Sequence, residues 1–393
     1  MSFDFTQLQA NWNYPTNIRF GAGRVKQLTD ICRSMEVSKP LFVTDQGLAT
    51  LPMVSSIIEE VKQAGLSIGL FSQIKPNPTG ENVGAGVEAY RQGGHDGVIA
   101  FGGGSALDAG KAIALMVGQS RPIWDFEDVG DNWLRVNEPG MAPCIAIPTT
   151  SGTGSEVGRA SVITDDAAHI KRIIFHPKML PSIVVLDPEL TVGLPPNITA
   201  ATGMDALSHC LEAYCSPGYH PMADGIAIEG MRLIKEWLPV AYLESANIEA
   251  RSHMIVASAM GATAFQKGLG AMHALAHPLG AHFDAHHGLL NAILMPYVLT
   301  ANQSVIADRM SYLATCLSLN NQSVTGVIDW IVALREELQI PHSLSEINID
   351  ASCLDVIAKK AEEDPSAGGN PIAFDAKAYK TICSHAIEGH VEV

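Results

Sequence analysis

The sequence predicts an α/β N-terminal domain built on a doubly wound parallel sheet, followed by an all-α C-terminal domain. Two observations carry that reading. In the first half, short apolar runs alternate with amphipathic segments, the pattern of parallel strands joined by helices. Beyond Leu194–Pro195–Pro196, strand-like runs become rare and Ala, Leu, Met and Ile recur at helical spacing. The boundary therefore gives residues 1–194 to the α/β domain and 195–393 to the helical one.

Taken in order, Pro40 to Asp45 (PLFVTD) reads as a buried strand and Met53 to Ala64 as an amphipathic helix stopped by Gly65. Asp96 to Phe101 (DGVIAF) is a second strand, followed by Gly102–Gly103–Gly104 and a helix from Ser105. Cys144 to Ile147 and Ser182 to Leu186 read as further strands. Segments 197–216, 221–243, 249–267, 288–300 and 322–338 read as helices. There is no internal repeat, low-complexity tract or charge run. Ligands of doubly wound sheets sit beyond the carboxyl ends of strands, so the site is expected in the cleft between the halves.

Composition narrows the function classes. With 47% hydrophobic and 17% charged residues, the chain can bury a core. A net charge of −16 argues against nucleic acid or an anionic membrane as partner, since both need clustered Lys and Arg. The seven cysteines are scattered, with no CxxC pair, as expected of reduced thiols. MSFDFTQLQANWNYP has no basic segment leading an apolar one, and no run reaches the roughly 18 apolar residues of a membrane span. A cytoplasmic chain is expected.

Phe101 to Asp108 (FGGGSALD) lies where a strand hands over to a helix. Glycines allow a sharp turn and close approach of a phosphate, and the helix N-terminus offers free N–H groups, with Ser105 as a candidate cap. This is not GxGxxG, and alone it describes many plain strand–helix turns. A second small-polar loop, Pro148 to Glu156 (PTTSGTGSE), also follows a strand and supplies hydroxyls and N–H groups. Asp45 ends PLFVTD, where a carboxylate accepts bonds from ribose hydroxyls and repels a 2′-phosphate, which favours NAD over NADP.

Asp205 and His209 stand four apart in GMDALSHC, so a helix presents both on one face. His273 and His277 are likewise four apart in MHALAHP, and His287 closes AHFDAHHG. One such pair among fourteen histidines is unremarkable. A carboxylate with several imidazoles beside glycine-rich turns is harder to assign to packing. Imidazole suits zinc, iron or nickel, and the absence of nearby cysteine pairs argues against a thiolate site. His282 and His286 share this stretch, and helical spacing alone does not separate His277 from His273.

These motifs (GGGS-x2-D, PTTSGTGSE, LPP-x5-TGMDALSH and GLGAMHALAHPLG…HG) occur in order from about Asn17 to Asn370. In them the sequence resembles the iron-containing, group III, alcohol dehydrogenases. The resemblance implies a Rossmann-like N-terminal domain and a helical C-terminal domain of the dehydroquinate synthase-like fold. It implies metal ligands at Asp205, His209, His273 and His287, and places His277 in a proton relay rather than among the ligands. Family cofactor positions match Asp45, Asn77, Gly104, Ser105, Thr149, Lys171, Leu190 and Gly193. The glycine turn and polar loop add Gly103, Asp108 and Thr150. Departures occur at Gly158 and Ala160, smaller than the family's usual Thr and aromatic. They also occur at Ile372 after Asn370–Pro371, where many members read NPR, and at His282, where an aromatic is usual.

The expected reaction is interconversion of an alcohol and its aldehyde or ketone by hydride transfer with NAD. The expected metal is Fe2+, with Zn2+ the alternative. Expected partners are the small alcohol or aldehyde and further copies of the chain in a homodimer or larger homo-oligomer. Two rival readings are a hydroxyacid–oxoacid transhydrogenase that keeps its nicotinamide bound, and a lyase resembling dehydroquinate synthase, which shares the fold and uses NAD transiently. The lyase's metal pattern of a Glu and two His fits the Asp205/His209 pair poorly.

Overall fold

A computed structural model describes residues 16–168 and 170–391. The opening stretch MSFDFTQLQANWNYP lies outside the described residues. The chain divides into two compact units, one of Tyr14–Val192 and one centred on Gly193–Val393.

The first unit carries a six-stranded sheet of β1 (Ile18–Phe20), β2 (Pro40–Asp45), β3 (Gly69–Ile74), β4 (Gly97–Gly102), β5 (Cys144–Pro148) and β8 (Ile183–Leu186). Its order is β1-β8-β5-β4-β2-β3, and every pairing is parallel. The chain runs outward from β2 to β3, then returns past β2 to β4 and continues through β5 to β8. The direction of winding thus reverses between β2 and β4, the position at which doubly wound sheets bind ligands. Helices α1 (Leu28–Ser34), α2 (Gln46–Ala49), α3 (Pro52–Gln63), α4 (Gly80–Gly93) and α5 (Gly104–Met116) connect these strands. Strands β2, β4, β5 and β8 are buried almost throughout, as apolar runs with helices on both faces should be. Phe42 and Phe101, on adjacent strands, pack with ring centroids 5.0 Å apart.

Four strands here lie outside the apolar runs of the sequence analysis: β1, β3, and the antiparallel pair β6 (Ala160–Asp165) and β7 (Ile170–Phe175). The pair forms a separate two-stranded sheet and contributes Lys171. The helix after β4 also starts one residue early. Gly103 is its N-cap, so Ser105 lies inside the first turn and does not cap it.

The second unit is helical: α6 (Pro196–Cys215), α7 (Pro221–Leu243), α8 (Ile248–Ala264), α9 (Ala271–Phe283), α10 (His287–Cys316), α11 (Val324–Glu337), α12 (Leu354–Glu363) and α13 (Ala376–Glu388). α6 is buried on every side from Thr199 to Cys215, so any polar residue it carries needs a partner. α10 is long and apolar enough, by length and composition, to cross a membrane. Two-thirds (67%) of its apolar stretch is buried inside the unit, the setting of a core helix. α10 meets α6 closely at Gly288, where a Cβ would stand 2.4 Å from the Ala201 carbonyl oxygen and 3.0 Å from Asp205 Cβ. Glycine at this crossing brings the start of α10 against Asp205.

Candidate functional site

In the first unit, the adjacent strands β2, β4 and β5 deliver Asp45, Gly103 and Thr149 at neighbouring carboxyl ends. Asp45 caps α2, its Oδ1 accepting the Leu48 N–H at 2.9 Å. Its Oδ2 is turned toward the glycine turn, 3.6 Å from where a Cβ on Gly102 would lie. The Thr149 N–H donates to the Gly102 carbonyl at 3.0 Å. A Cβ on Gly104 would stand 2.7 Å from Thr153 Cγ2, and one on Gly103 3.5 Å from Thr150 Oγ1. Glycine is therefore what lets the two loops meet.

Asn77, Ser105 and Lys171 form one cluster. The Asn77 N–H donates to Ser105 Oγ at 3.3 Å, and Lys171 Nζ donates to Asn77 Oδ1 at 2.8 Å. Asn77 holds a left-handed φ of 54°, which Asn tolerates better than most residues. Asp108 is committed elsewhere. It accepts from Ser155 Oγ at 2.5 Å and from the Val162 N–H at 3.0 Å, and pairs with Lys111 at 3.4 Å. It ties α5 to the polar loop and to β6. Leu190 packs in the core beside the sheet, while Gly193 has a φ of 86° with open space around it.

In the second unit, α6 presents Asp205, His209 and Glu212 at i, i+4 and i+7 along one buried face. Asp205 Oδ1 lies 3.8 Å from His287 Nε2 and 4.0 Å from His209 Nε2. One donor atom each from Asp205, His273 and His287 lie within 4.8 Å of one another. His209 is outside that closest group, with its ring stacked on His273 at 4.9 Å. Donors about 2.0–2.2 Å from a shared ion stand roughly 3–4 Å apart, so these separations fit one divalent cation. Burial pushes the Asp205 carboxyl up, but positive charge on His209, His287 and His273, with a bond from Asn291, outweighs it and brings it to about 2. A carboxylate this buried requires a cation beside it, and the donor set of oxygen and imidazole nitrogen suits Fe2+ or Zn2+.

His277 stands apart from the donors. Its Nδ1 lies 2.9 Å from Asp364 Oδ2, and its ring stacks on His287 at 5.3 Å and 11°. Burial raises the Asp364 carboxyl, and His277 together with hydrogen bonds from Ser366 more than offsets this, leaving it below the usual range. His286 caps α10, Nδ1 accepting the Leu289 N–H at 3.4 Å. His282 contacts Cys353 Sγ at 3.0 Å.

Three residues that sequence reading missed complete the surroundings. Glu212 holds His273 Nδ1 at 2.6 Å. Asn291 Nδ2 lies 2.9 Å from Asp205 Oδ1 and 3.2 Å from both His273 Nε2 and His287 Nε2, while its Oδ1 is buried without a partner. The third is Asp364. Helical spacing could have flagged Glu212, seven after Asp205, and Asn291, four after His287.

The chain matches the profile of iron-containing alcohol dehydrogenases over residues 15–188, and that of the Fe-containing alcohol dehydrogenase family's C-terminal domain over residues 199–387. It is 34% identical to the NAD-dependent methanol dehydrogenase of Bacillus methanolicus over 384 residues, covering 96% of this chain and 100% of the relative. It is 33% identical to alcohol dehydrogenase 4 of Saccharomyces cerevisiae (strain YJM789) over 372 residues, 94% of this chain and 96% of the relative. The crystal structure of a 1,3-propanediol oxidoreductase superposes with a TM-score of 0.92 at 30% identity, covering 97% of this chain and 100% of that one.

Proposed function

Because the chain belongs to the iron-containing alcohol dehydrogenase family, we propose that it interconverts a small alcohol and its aldehyde or ketone, with NAD as hydride carrier. The observation that carries this reading is the buried Asp205 carboxylate facing imidazole donors at separations suited to one divalent ion. Asp205, His209, His273 and His287 hold that ion, Fe2+ or Zn2+. When bound, it supplies Lewis-acid polarisation of the substrate's C–O function, and NAD supplies the hydride acceptor.

The chain's own residues do the rest. His277, oriented by Asp364, holds and passes the hydroxyl proton, a role supported by their 2.9 Å contact. Asp45 accepts from ribose hydroxyls, and its charge disfavours a 2′-phosphate. The free N–H groups of Gly104 and Ser105 at the start of α5 receive the pyrophosphate. Asn77 and Lys171 steady the ribose side. Thr149, Thr150, Leu190 and Gly193 complete the cofactor contacts, with Gly103 and Asp108 shaping the turn. The small Gly158 and Ala160 favour a roomy substrate pocket.

The transhydrogenase and lyase readings are not favoured by the family matches. The acidic chain with scattered thiols supports a cytoplasmic setting. We take its working form to be a homodimer or larger homo-oligomer, and the exposed edge strand β1 supports that.

The test is a screen of alcohols and aldehydes with NAD(H), read by NADH absorbance, on protein stripped by a chelator and resupplied with Fe2+ or Zn2+. Metal-dependent NADH formation from an alcohol is expected. Turnover without added NAD, or none with any alcohol in the presence of either metal, overturns the reading.

A further inference from the structure

We propose that Glu212 is a positioning residue of the metal centre. Through His273 it selects the ligating nitrogen, and it brings the charge of the loaded site to neutrality. The inference rests on the metal reading given above.

Glu212 is only 5% exposed and lies on α6 two turns beyond Asp205, on the same face. Its two oxygens have separate tasks. Oε1 accepts the Met272 N–H at 2.6 Å, which anchors the first turn of α9. Oε2 lies 2.6 Å from His273 Nδ1. The chain passes close here because residue 270 is glycine, and a Cβ on it would stand 3.1 Å from Oε1.

A carboxylate is an acceptor only, so Nδ1 must carry the hydrogen. A neutral imidazole has one N–H, which leaves the lone pair on Nε2. Nε2 is the nitrogen that faces Asn291 beside Asp205. His273 therefore ligates through Nε2, in the orientation that Glu212 sets. The carboxylate also draws on the Nδ1 proton, which makes Nε2 the stronger donor.

Charge gives a second reason. A divalent ion with Asp205 and three neutral imidazoles carries +1 in a buried place. Glu212 is the second carboxylate in contact with this group and brings the sum to zero. That lowers the cost of keeping the ion out of water.

Glu212→Gln preserves size and removes the charge. Stripped protein titrated with Co2+ reads both affinity and ligand field. The Gln variant is expected to bind Co2+ roughly 10- to 100-fold more weakly, with visible bands altered in position or intensity. A second measurement needs no variant. In 15N-histidine-labelled parent protein loaded with Zn2+, His273 is expected to show a protonated Nδ1 with a far-downfield proton and a metal-bound Nε2. Parent-like Co2+ affinity and spectrum in the Gln variant, or a proton on His273 Nε2, overturns the proposal while the metal reading stands. A parent protein that takes up no Co2+ overturns both.

Discussion

His277 Nδ1 lies 2.9 Å from Asp364 Oδ2, while the imidazole plane stacks within 11° of His287. The carboxylate fixes the hydrogen on Nδ1 and leaves Nε2 as the proton-accepting nitrogen. Asp364 is itself held as the cap of the short turn Pro365–Gly369, Oδ1 accepting the Ser366 N–H at 2.8 Å. Asp364→Asn is expected to lower kcat by roughly 10- to 100-fold, a share of the usual acid–base contribution, with metal content unchanged. Elemental analysis beside steady-state kinetics checks this. An unaltered kcat would remove the pair from the proton path.

Much of the site is written at short range, and that part is legible. Asp205 and His209 share a helix face through their spacing, and the strand ends bearing Asp45 and the two glycine-rich loops follow from apolar runs. Other parts depend on tertiary contact. Asp364 reaches His277 across 87 positions, and nothing local in DPSAGG marks it as other than a turn. The proximity of His273 to Asp205 depends on α10, which packs against both α6 and α9, and on Glu212. The β6–β7 pair is not legible because neither strand is a continuous apolar run: ASVITD alternates half-buried with buried positions, and IKRIIF is interrupted by Lys171 and Arg172. Residue type favours Ser105 as the cap, yet Gly103, two residues earlier, takes that position because the helix already begins at Gly104.

Asp205→Ala and His273→Ala are each expected to abolish metal binding and activity together. Either change removes one of the three mutually closest donors, and the first also removes the buried negative charge that attracts the ion. Inductively coupled plasma analysis of the purified variants provides the check. An active variant free of metal would refute the assigned site.

Asp45→Gly is expected to raise the NADP-to-NAD ratio of kcat/KM at least about tenfold, because the carboxylate that repels a 2′-phosphate is gone. Asp45 also caps α2 through Leu48, but glycine is a tolerated cap, so the stability loss should be only a few tenths of a kcal/mol. Kinetics with both cofactors and one thermal melt separate the two effects. An unchanged ratio rejects the role given to Asp45.

Glu156 provides a pH test of the first unit. It is 1% exposed, its Oε1 has no hydrogen-bond partner, and burial pushes its carboxyl up to about 7, with Lys111 nearby only partly opposing this. In the unfolded chain the same group ionises near 4.5. Between those values the unfolded state has released a proton that the native state retains, so stability falls as pH rises. The stability is fully present below pH 4.5 and is lost as pH climbs through about 7. Glu156→Gln cannot ionise and lacks this slope. Its cost in packing or hydrogen bonding is the same at every pH. The melting temperature of the Gln variant relative to the parent is therefore expected to climb by several degrees between pH 4.5 and 8, from a pKa difference worth about 2–4 kcal/mol. A difference that stays flat across that range would mean that Glu156 is already ionised in the folded protein and that Lys111 neutralises it.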